Sequence, residues 1–228
     1  MKTFLGMVLG CALALGMAGG AEAITLDFTG SGGSSTDIFM SQSNQPMNGW
    51  NLAISNLNPG GISITSGLLS FQTGNMTGLS GGIYTFGLGG YINIYGGIPS
   101  LGIGAGTELM SGAFIANPNP TILNPLNPTF NSSTGKFIGT FNAALMNFNI
   151  LNNYGLGSNP LNGLGTLSFD TTGFTLKSDG LGGFDTYNPT NTTASIAATP
   201  EPSSVLLLGS GLVGMGLWGR RKMAKASV

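Results

Sequence analysis

The sequence of 228 residues predicts an all-β fold, either a β-sandwich or a jelly-roll-like domain. Short segments alternate apolar and polar residues with a period of two, the pattern of strands that bury one face. Turn residues separate these segments at intervals of roughly 8–12 residues, and a helical period is almost absent. A β-solenoid is the alternative because 40 glycines also suit stacked coils, but the sequence lacks the fixed repeat that a solenoid requires.

Identifiable turns separate the candidate strands. Residues 58–61 form a turn by composition, and hairpins are predicted about residues 89–90 and 171–173. Residues 143–151 fit a helix or a strand. Four Asn-Pro pairs within residues 117–128 predict a loop, since proline lacks the N–H that a strand ladder needs. In chain order, the candidate strands are residues 24–29, 50–57, 62–65, 68–71, 83–88, 91–95, 108–116, 135–141, 166–170 and 174–177.

Residues 1–23 have the pattern of a secretory signal peptide. One lysine precedes an apolar segment at residues 3–17, and the Ala-Glu-Ala sequence at residues 21–23 fits the small-x-small cleavage pattern. A lipoprotein signal ending at Cys11 is the alternative, which the apolar continuity beyond Cys11 disfavours. We therefore expect export and cleavage after Ala23.

The C-terminal residues 199–225 combine three features in order. The motif Pro200-Glu201-Pro202 is expected to be extended, because proline blocks helix continuation. Residues 203–218 carry no charge and predict a marginal transmembrane helix, since a full span needs about 20 apolar residues. A basic cluster follows, which predicts a cytoplasmic C-terminus by the positive-inside rule. The cluster consists of Arg220, Arg221 and Lys222.

This order of motif, apolar segment and basic cluster resembles the PEP-CTERM sorting signal of exopolysaccharide-producing Gram-negative bacteria. The resemblance implies export through the inner membrane and transient anchoring there. It also implies cleavage near Pro200-Glu201-Pro202 by an exosortase-type membrane protease, and a final location at the cell surface or in the extracellular matrix. Partners implied by the resemblance are therefore the protease, the inner membrane and extracellular polysaccharide.

Between the terminal signals we predict one all-β extracellular domain at residues 24–187 and a linker at residues 188–198. The chain has no histidine, and its single cysteine, Cys11, precedes the predicted cleavage site. This composition excludes disulfides, Cys nucleophiles, Ser-His-Asp triads and His/Cys metal sites from the mature domain. Without a basic stripe, nucleic-acid binding is also excluded. We expect no cofactor and no enzymatic activity.

Tyr91, Asn93 and Tyr95 form a candidate carbohydrate face. On a strand these three residues share one face, while the isoleucines between them point to the core. Aromatic rings stack on sugar rings and the amide hydrogen-bonds to hydroxyls. The simpler interpretation is an ordinary outer sheet face, where tyrosine is common because of its β-propensity.

The carboxylates offer two weaker hypotheses. Asp170, Asp179 and Asp185, with a glycine-rich turn between the last two, are weak calcium candidates, although Ca²⁺ usually takes six to eight oxygen ligands. A carboxylate pair could also support glycoside hydrolysis, with Glu108 or Asp170 as a member, but no motif anchors such a pair. We therefore predict a surface or matrix protein associated with exopolysaccharide or biofilm. The alternatives are a carbohydrate-binding module and a secreted hydrolase.

Overall fold

Antiparallel strands make up nearly all of the domain in the computed structural model, which confirms the predicted all-β class. The structure describes residues 24–30, 38–118, 125–156, 163–177 and 181–198. The strands are β1 (Ile24–Gly30), β2 (Ile38–Met40), β3 (Pro46–Asn58), β4 (Ile62–Ser80), β5 (Ile83–Phe86), β6 (Gly89–Ile98), β7 (Ile103–Phe114), β8 (Thr129–Asn131), β9 (Lys136–Met146), β10 (Gly163–Leu176) and β11 (Phe184–Ala198). One short helix, α1 (Phe148–Asn153), and a 3₁₀ turn, Pro99–Leu101, complete the described elements.

The predicted signal peptide and the predicted sorting segment with its transmembrane helix lie outside the described residues. Within the described ranges, none of the helices has the length and apolar character needed to cross a membrane.

The strands form one antiparallel sheet that closes on itself. Hydrogen-bonded pairs run in the order β1, β3, β4, β6, β7, β9, β10 and β11, and β11 pairs again with β1. We call this closed series the ring. The closing pair joins the two ends of the domain, because Ile24 lies opposite Ala198 and Gly30 lies opposite Thr192. All seven residues of β1 are paired with β11 in this way.

Three short strands extend the ring at the end away from Ile24 and Ala198. There β2 bridges the start of β3 and the start of β11, and β5 and β8 bridge the end of β4 and the start of β9. Both bridges supply hydrogen-bond partners to the ends of long strands, at positions where those strands have moved away from a neighbouring strand of the ring. Backbone N–H and C=O groups on those strands would otherwise lack a protein partner.

Aromatic side chains fill the interior of the ring. Phe71 on β4 packs 5.3 Å from Phe137 on β9 and 5.5 Å from Phe169 on β10, measured between ring centroids. Since β4 and β10 are not neighbours in the sheet, these contacts join opposite walls. A second aromatic group occupies the end bridged by β2, β5 and β8. It consists of Tyr84, Phe130, Phe174 and Phe184.

Glycines on the strands make room for these rings. A Cβ atom at Gly49 would overlap the ring of Phe71, and one at Gly165 would overlap the ring of Phe141. The aromatic rings therefore lie directly on glycine backbone. This close approach explains part of the glycine content without a solenoid.

Helix α1 lies at the end of the domain that carries Ile24 and Ala198, directly after β9. Asn147 caps the helix, because its Oδ1 accepts a hydrogen bond from the Asn149 backbone N–H at 3.0 Å. Ile150 and Leu151 are buried, and the Tyr154 hydroxyl donates to the Pro59 carbonyl at 2.6 Å. The ambiguous residues 143–151 thus contribute both the end of a strand and most of a helix.

The structure corrects three sequence predictions. Residues 188–198, predicted to be a linker, are the second part of β11 and pair with both β1 and β10. The hairpin about residues 171–173 is wrong, because β10 runs continuously through it. The hairpin about residues 89–90 is also wrong, since β5 and β6 both pair with β4 and not with each other.

We predict that Phe137→Ala destabilises the domain by about 3–5 kcal/mol, because it opens a cavity where three aromatic rings meet. Phe137 is fully buried and its ring lies 4.9 Å from that of Phe169. Urea denaturation measures the change as a shift in midpoint. The matched control is Phe148→Ala, whose side chain is 57% exposed, and which should change stability by less than about 0.5 kcal/mol. Equal losses in the two variants would contradict this account of the core.

We also predict that Tyr84 makes the domain sensitive to alkali. Its side chain is 5% exposed, and burial raises the pKa of its hydroxyl above the ordinary value of 10.0. The neutral form is therefore favoured by folding, and this contribution is complete below pH 10 and is lost as pH rises through the folded-state pKa. Urea midpoints should fall above pH 10 less steeply for Tyr84→Phe than for the wild type. An identical pH profile in the two proteins would contradict the prediction.

Candidate functional site

The candidate carbohydrate residues lie on the outer surface of β6. Tyr91 and Asn93 are partly exposed and Tyr95 is 37% exposed, whereas Ile92 and Ile94 between them are fully buried. The alternation of strand side chains produces this arrangement, as the sequence predicts. Whether these residues bind carbohydrate stays a prediction.

Neighbouring strands add further side chains to the same surface, in register with each candidate residue. Gln72 of β4 lies opposite Tyr91, Asn93 lies between Ser70 of β4 and Ser111 of β7, and Tyr95 lies between Leu68 of β4 and Glu108 of β7. Adjacent strands in a sheet are about 4.8 Å apart, so all these side chains belong to one continuous surface. We call it the β6 face. Its members are Ser70, Gln72, Tyr91, Asn93, Tyr95, Ser111 and their outer neighbours Leu68 and Glu108.

Gln72, at the β3 side of the β6 face, forms a cross-strand amide pair with Asn48 of β3. Gln72 Nε2 donates to Asn48 Oδ1 at 2.7 Å, and Asn48 Nδ2 donates to the Pro46 carbonyl at 3.2 Å. Asn48 is buried, so this chain of hydrogen bonds holds the Gln72 side chain in a defined position beside Tyr91. Sequence patterns did not identify Gln72, because it is 19 residues from Tyr91 and only the β4–β6 register brings the two together.

The chemistry of the β6 face is that of a mostly neutral hydrogen-bonding surface. Hydroxyl and amide groups alternate with two phenol rings, and Glu108 is the one carboxylate at its border. Such groups can donate to and accept from hydroxyls while the rings contact apolar C–H surface. These are the groups that an uncharged, hydroxyl-rich ligand would require, and binding of such a ligand stays a prediction.

The candidate calcium residues are not gathered into a site within the described part of the chain. Asp170 lies opposite Thr190 and Asp185 lies opposite Thr175, so the two carboxylates are five residues apart along β10, about 16 Å. Asp170 accepts a hydrogen bond from Asn191 at 3.2 Å, and Asp185 pairs with Lys177 at 3.5 Å. Asp179 lies outside the described residues. Among the residues that the structure describes, no three His, Cys, Asp or Glu side chains cluster as metal ligands would.

A polar cleft of about 270 Å³ opens where β1, β3 and β11 meet, and one of its lining residues, Asn191, donates to Asp170. Its lining carries hydroxyl and amide groups and no charged side chain. Thr192, one of its lining residues, has a buried Oγ1 with no hydrogen-bond partner among the residues that the structure describes. The cleft has the chemistry for a small neutral polar molecule or for water. Its lining residues are Thr29, Gly30, Ser55, Asn56, Asn191, Thr192 and Thr193.

Comparison with known families identifies the C-terminal segment. Residues 198–222 match the PEP-CTERM protein-sorting motif, a range that includes Pro200-Glu201-Pro202 and the basic cluster. These motif residues lie outside the described part of the structure. No curated protein and no solved structure gives a significant match to the chain. The motif implies a surface or extracellular destination and C-terminal processing by an exosortase, which is a membrane protease. The chain thus carries a PEP-CTERM sorting motif and is an exported, exosortase-targeted protein.

Proposed function

We propose that the processed protein is a non-enzymatic component of the cell surface or extracellular matrix that associates with exopolysaccharide, as in a biofilm. The apolar residues 203–218 hold it transiently in the inner membrane before the exosortase cuts near Pro200-Glu201-Pro202. The observation that carries the proposal is the β6 face, a neutral row of phenols, amides and hydroxyls on the outside of an exported domain.

The β6 face suits a polysaccharide because its two kinds of group match the two kinds of sugar surface. Tyr91 and Tyr95 are four residues apart on one strand, about 13 Å, with Asn93 midway. Each ring can stack on the apolar face of a sugar, and Asn93 can bond hydroxyls between them. A site of this length engages several units of a chain, so weak contacts add up along the polymer. A dedicated carbohydrate-binding module would use the same residues with selectivity for one sugar.

A carboxylate-dependent hydrolase is the alternative from another class. Glycosidases place two carboxyl groups about 5–9.5 Å apart. The backbone carbonyl of Glu108 lies beside Asn147, just after β9, whereas Asp170 lies opposite Lys136 at the start of β9. These positions differ by 11 residues along β9 (147 − 136), which is about 36 Å. Glu108 and Asp170 therefore lie too far apart to form such a pair with each other.

We predict that Tyr95→Ala and Tyr91→Ala each weaken retention on the host's exopolysaccharide by roughly 2- to 12-fold, the loss of one aromatic contact. Both side chains are on the surface, so the urea midpoint should stay nearly unchanged. Retention is measured by co-sedimentation of the purified protein with the polymer. Phe148→Ala, which removes an exposed aromatic ring from α1, is the matched control and should retain full binding.

Two outcomes would contradict this proposal. Unchanged retention in both tyrosine variants would exclude the β6 face as the binding surface. Release of new reducing ends when the wild-type protein is incubated with the polymer would favour the hydrolase.

We predict that the mature protein runs from Ile24 to a C-terminus beyond Ala198. Cleavage before Ala198 would remove part of β11, whose Ala194 and Ile196 are fully buried and whose backbone closes the ring. Intact-mass analysis of protein from the cell envelope and the medium measures both ends. Replacing Pro200, Glu201 and Pro202 by alanine should leave the C-terminal segment attached.

The control for the processing experiment is replacement of Ser203 and Ser204 by alanine, which changes residues beside the motif and should leave processing intact. A mature species that ends within β11 would show that the ring is not needed after export. A wild-type chain that keeps residues 205–228 in every fraction would contradict exosortase processing.

A further inference from the structure

Trp50 is exposed on the outer surface of β3, and it borders the β6 face, because the backbone N–H of the next residue, Asn51, donates to Ser70 Oγ at 3.4 Å. Its side chain is 52% exposed, although tryptophan is among the most costly residues to leave in water. Phe39 of β2 packs against it edge to face, with ring centroids 6.1 Å apart and an interplanar angle of 68°. The contact covers part of the indole, and about half of the residue stays open to solvent.

An ion pair stands beside these rings. Lys177 Nζ lies 5.3 Å from the centroid of the Phe39 ring and 3.5 Å from Asp185 Oδ1. Phe39 and Asp185 are directly opposite each other on β2 and β11, so their side chains share the outer surface. The lysine therefore lies over an aromatic ring while its charge is balanced by a carboxylate. The two aromatic rings and the ion pair therefore carry no net charge together.

A β-bulge directs Trp50 outward. Gly49 pairs with Phe71 and Leu52 pairs with Leu69, so β3 contains one more residue than β4 between these pairs. Asn51, in the bulge, has a φ of 57°, a conformation that asparagine tolerates better than most residues. As a result Trp50 and Asn51 are both exposed, which breaks the alternation of the strand. Bulges commonly re-aim side chains next to functional sites.

We propose that Trp50, Phe39, Lys177 and Asp185 form a second saccharide-binding site, which takes a neutral sugar unit. The sugar ring lies on the open face of the indole, while Asp185 accepts hydrogen bonds from its hydroxyls. The ammonium of Lys177 has three N–H donors, more than its contact with Asp185 uses, and can donate to a sugar oxygen. Because the two charges compensate, the site favours a neutral sugar over an anionic one. The inference rests on the proposed exopolysaccharide association only for the source of the ligand, since none of its four residues is a member of the β6 face.

The fluorescence of Trp50 can report ligand binding at this site. The chain has two tryptophans, and the other, Trp218, belongs to the sorting segment. In the full-length Trp218→Phe variant, kept in a zwitterionic detergent without sugar groups, Trp50 is the sole indole. Titration with cellohexaose or isomaltohexaose should shift the Trp50 emission to shorter wavelength and saturate. We expect a Kd on the order of 1–10 mM, typical of so small a contact.

Variants separate this site from the β6 face. Asp185→Asn in the Trp218→Phe background keeps the fluorophore and should weaken binding by roughly five- to tenfold, the loss of a charge-assisted hydrogen bond. Lys177→Gln tests the same site if Asp185→Asn fails to fold, and circular dichroism decides which variants are folded. Tyr95→Ala should leave the emission shift unchanged. Free glucose, compared with the hexaoses, distinguishes a site for single sugars from one for chains.

Three results would overturn the inference. The first is an emission that neither hexaose changes. The second is equal or tighter binding of an alginate hexamer, which would indicate simple attraction of an anion to Lys177. The third is a shift that Tyr95→Ala abolishes and Asp185→Asn does not, which would place the sugar on the β6 face and leave the proposed function standing. Conversely, a saturating shift together with unchanged polymer retention in the tyrosine variants would support the Trp50 site and contradict the β6 face.

Discussion

The pairing of the first strand with the last is the constraint on which the rest of the structure depends. Every strand in a sheet needs a partner on each side, or its backbone groups must be left to solvent. Here β1 supplies that partner to both β11 and β3, so among the described residues the first and last strands close the ring. Leu26 and Phe28 of β1 are fully buried, which means that the same seven residues also complete the core. The same residues therefore close the ring and complete the core, and they come from both ends of the exported domain.

Closure also separates the inner surface from the outer one and assigns them different chemistry. The inside is filled by apolar side chains, among them phenylalanine rings that reach across the ring and rest on glycine backbone. Candidate binding groups are consequently confined to outward positions, on strands held rigidly by their neighbours. The β6 face follows the regular alternation of β6, whereas the proposed site of Trp50, Phe39, Lys177 and Asp185, the Trp50 group, depends on a departure from alternation at the β3 bulge. A rigid scaffold of this kind positions weak contacts well, which matters for a repetitive and flexible ligand such as a polysaccharide.

Part of the candidate site could be predicted from sequence. Tyr91, Asn93 and Tyr95 are spaced two residues apart between isoleucines, and that local pattern is enough to place them on one outer face. Gln72 and Ser111 could not be predicted, because only the register of β6 with β4 and β7 brings them alongside. The Trp50 group was missed for a similar reason. Its four members come from β2, β3, β11 and the residue that follows β10, and the exposure of Trp50 results from a bulge that no short pattern indicates.

By itself, the sequence determined the all-β class, the positions of most strands and the sorting motif, because each depends on short-range features. Side-chain alternation and turn residues indicate the strands. The sorting motif is recognised by the order of a short motif, an apolar segment and a basic cluster. Tertiary structure alone decided which strands pair. The local sequence predicted hairpin turns at Gly89-Gly90 and at Thr171-Thr172-Gly173. In the structure, however, β5 and β6 both pair with β4, and β10 continues through Gly173 without a turn. Residues 188–198 resemble a linker in composition, but residues 192–198 pair with β1 and most of residues 189–197 pair with β10. Strand pairing depends on long-range interactions, because the backbone hydrogen bonds of every strand and the burial of the core must be satisfied together.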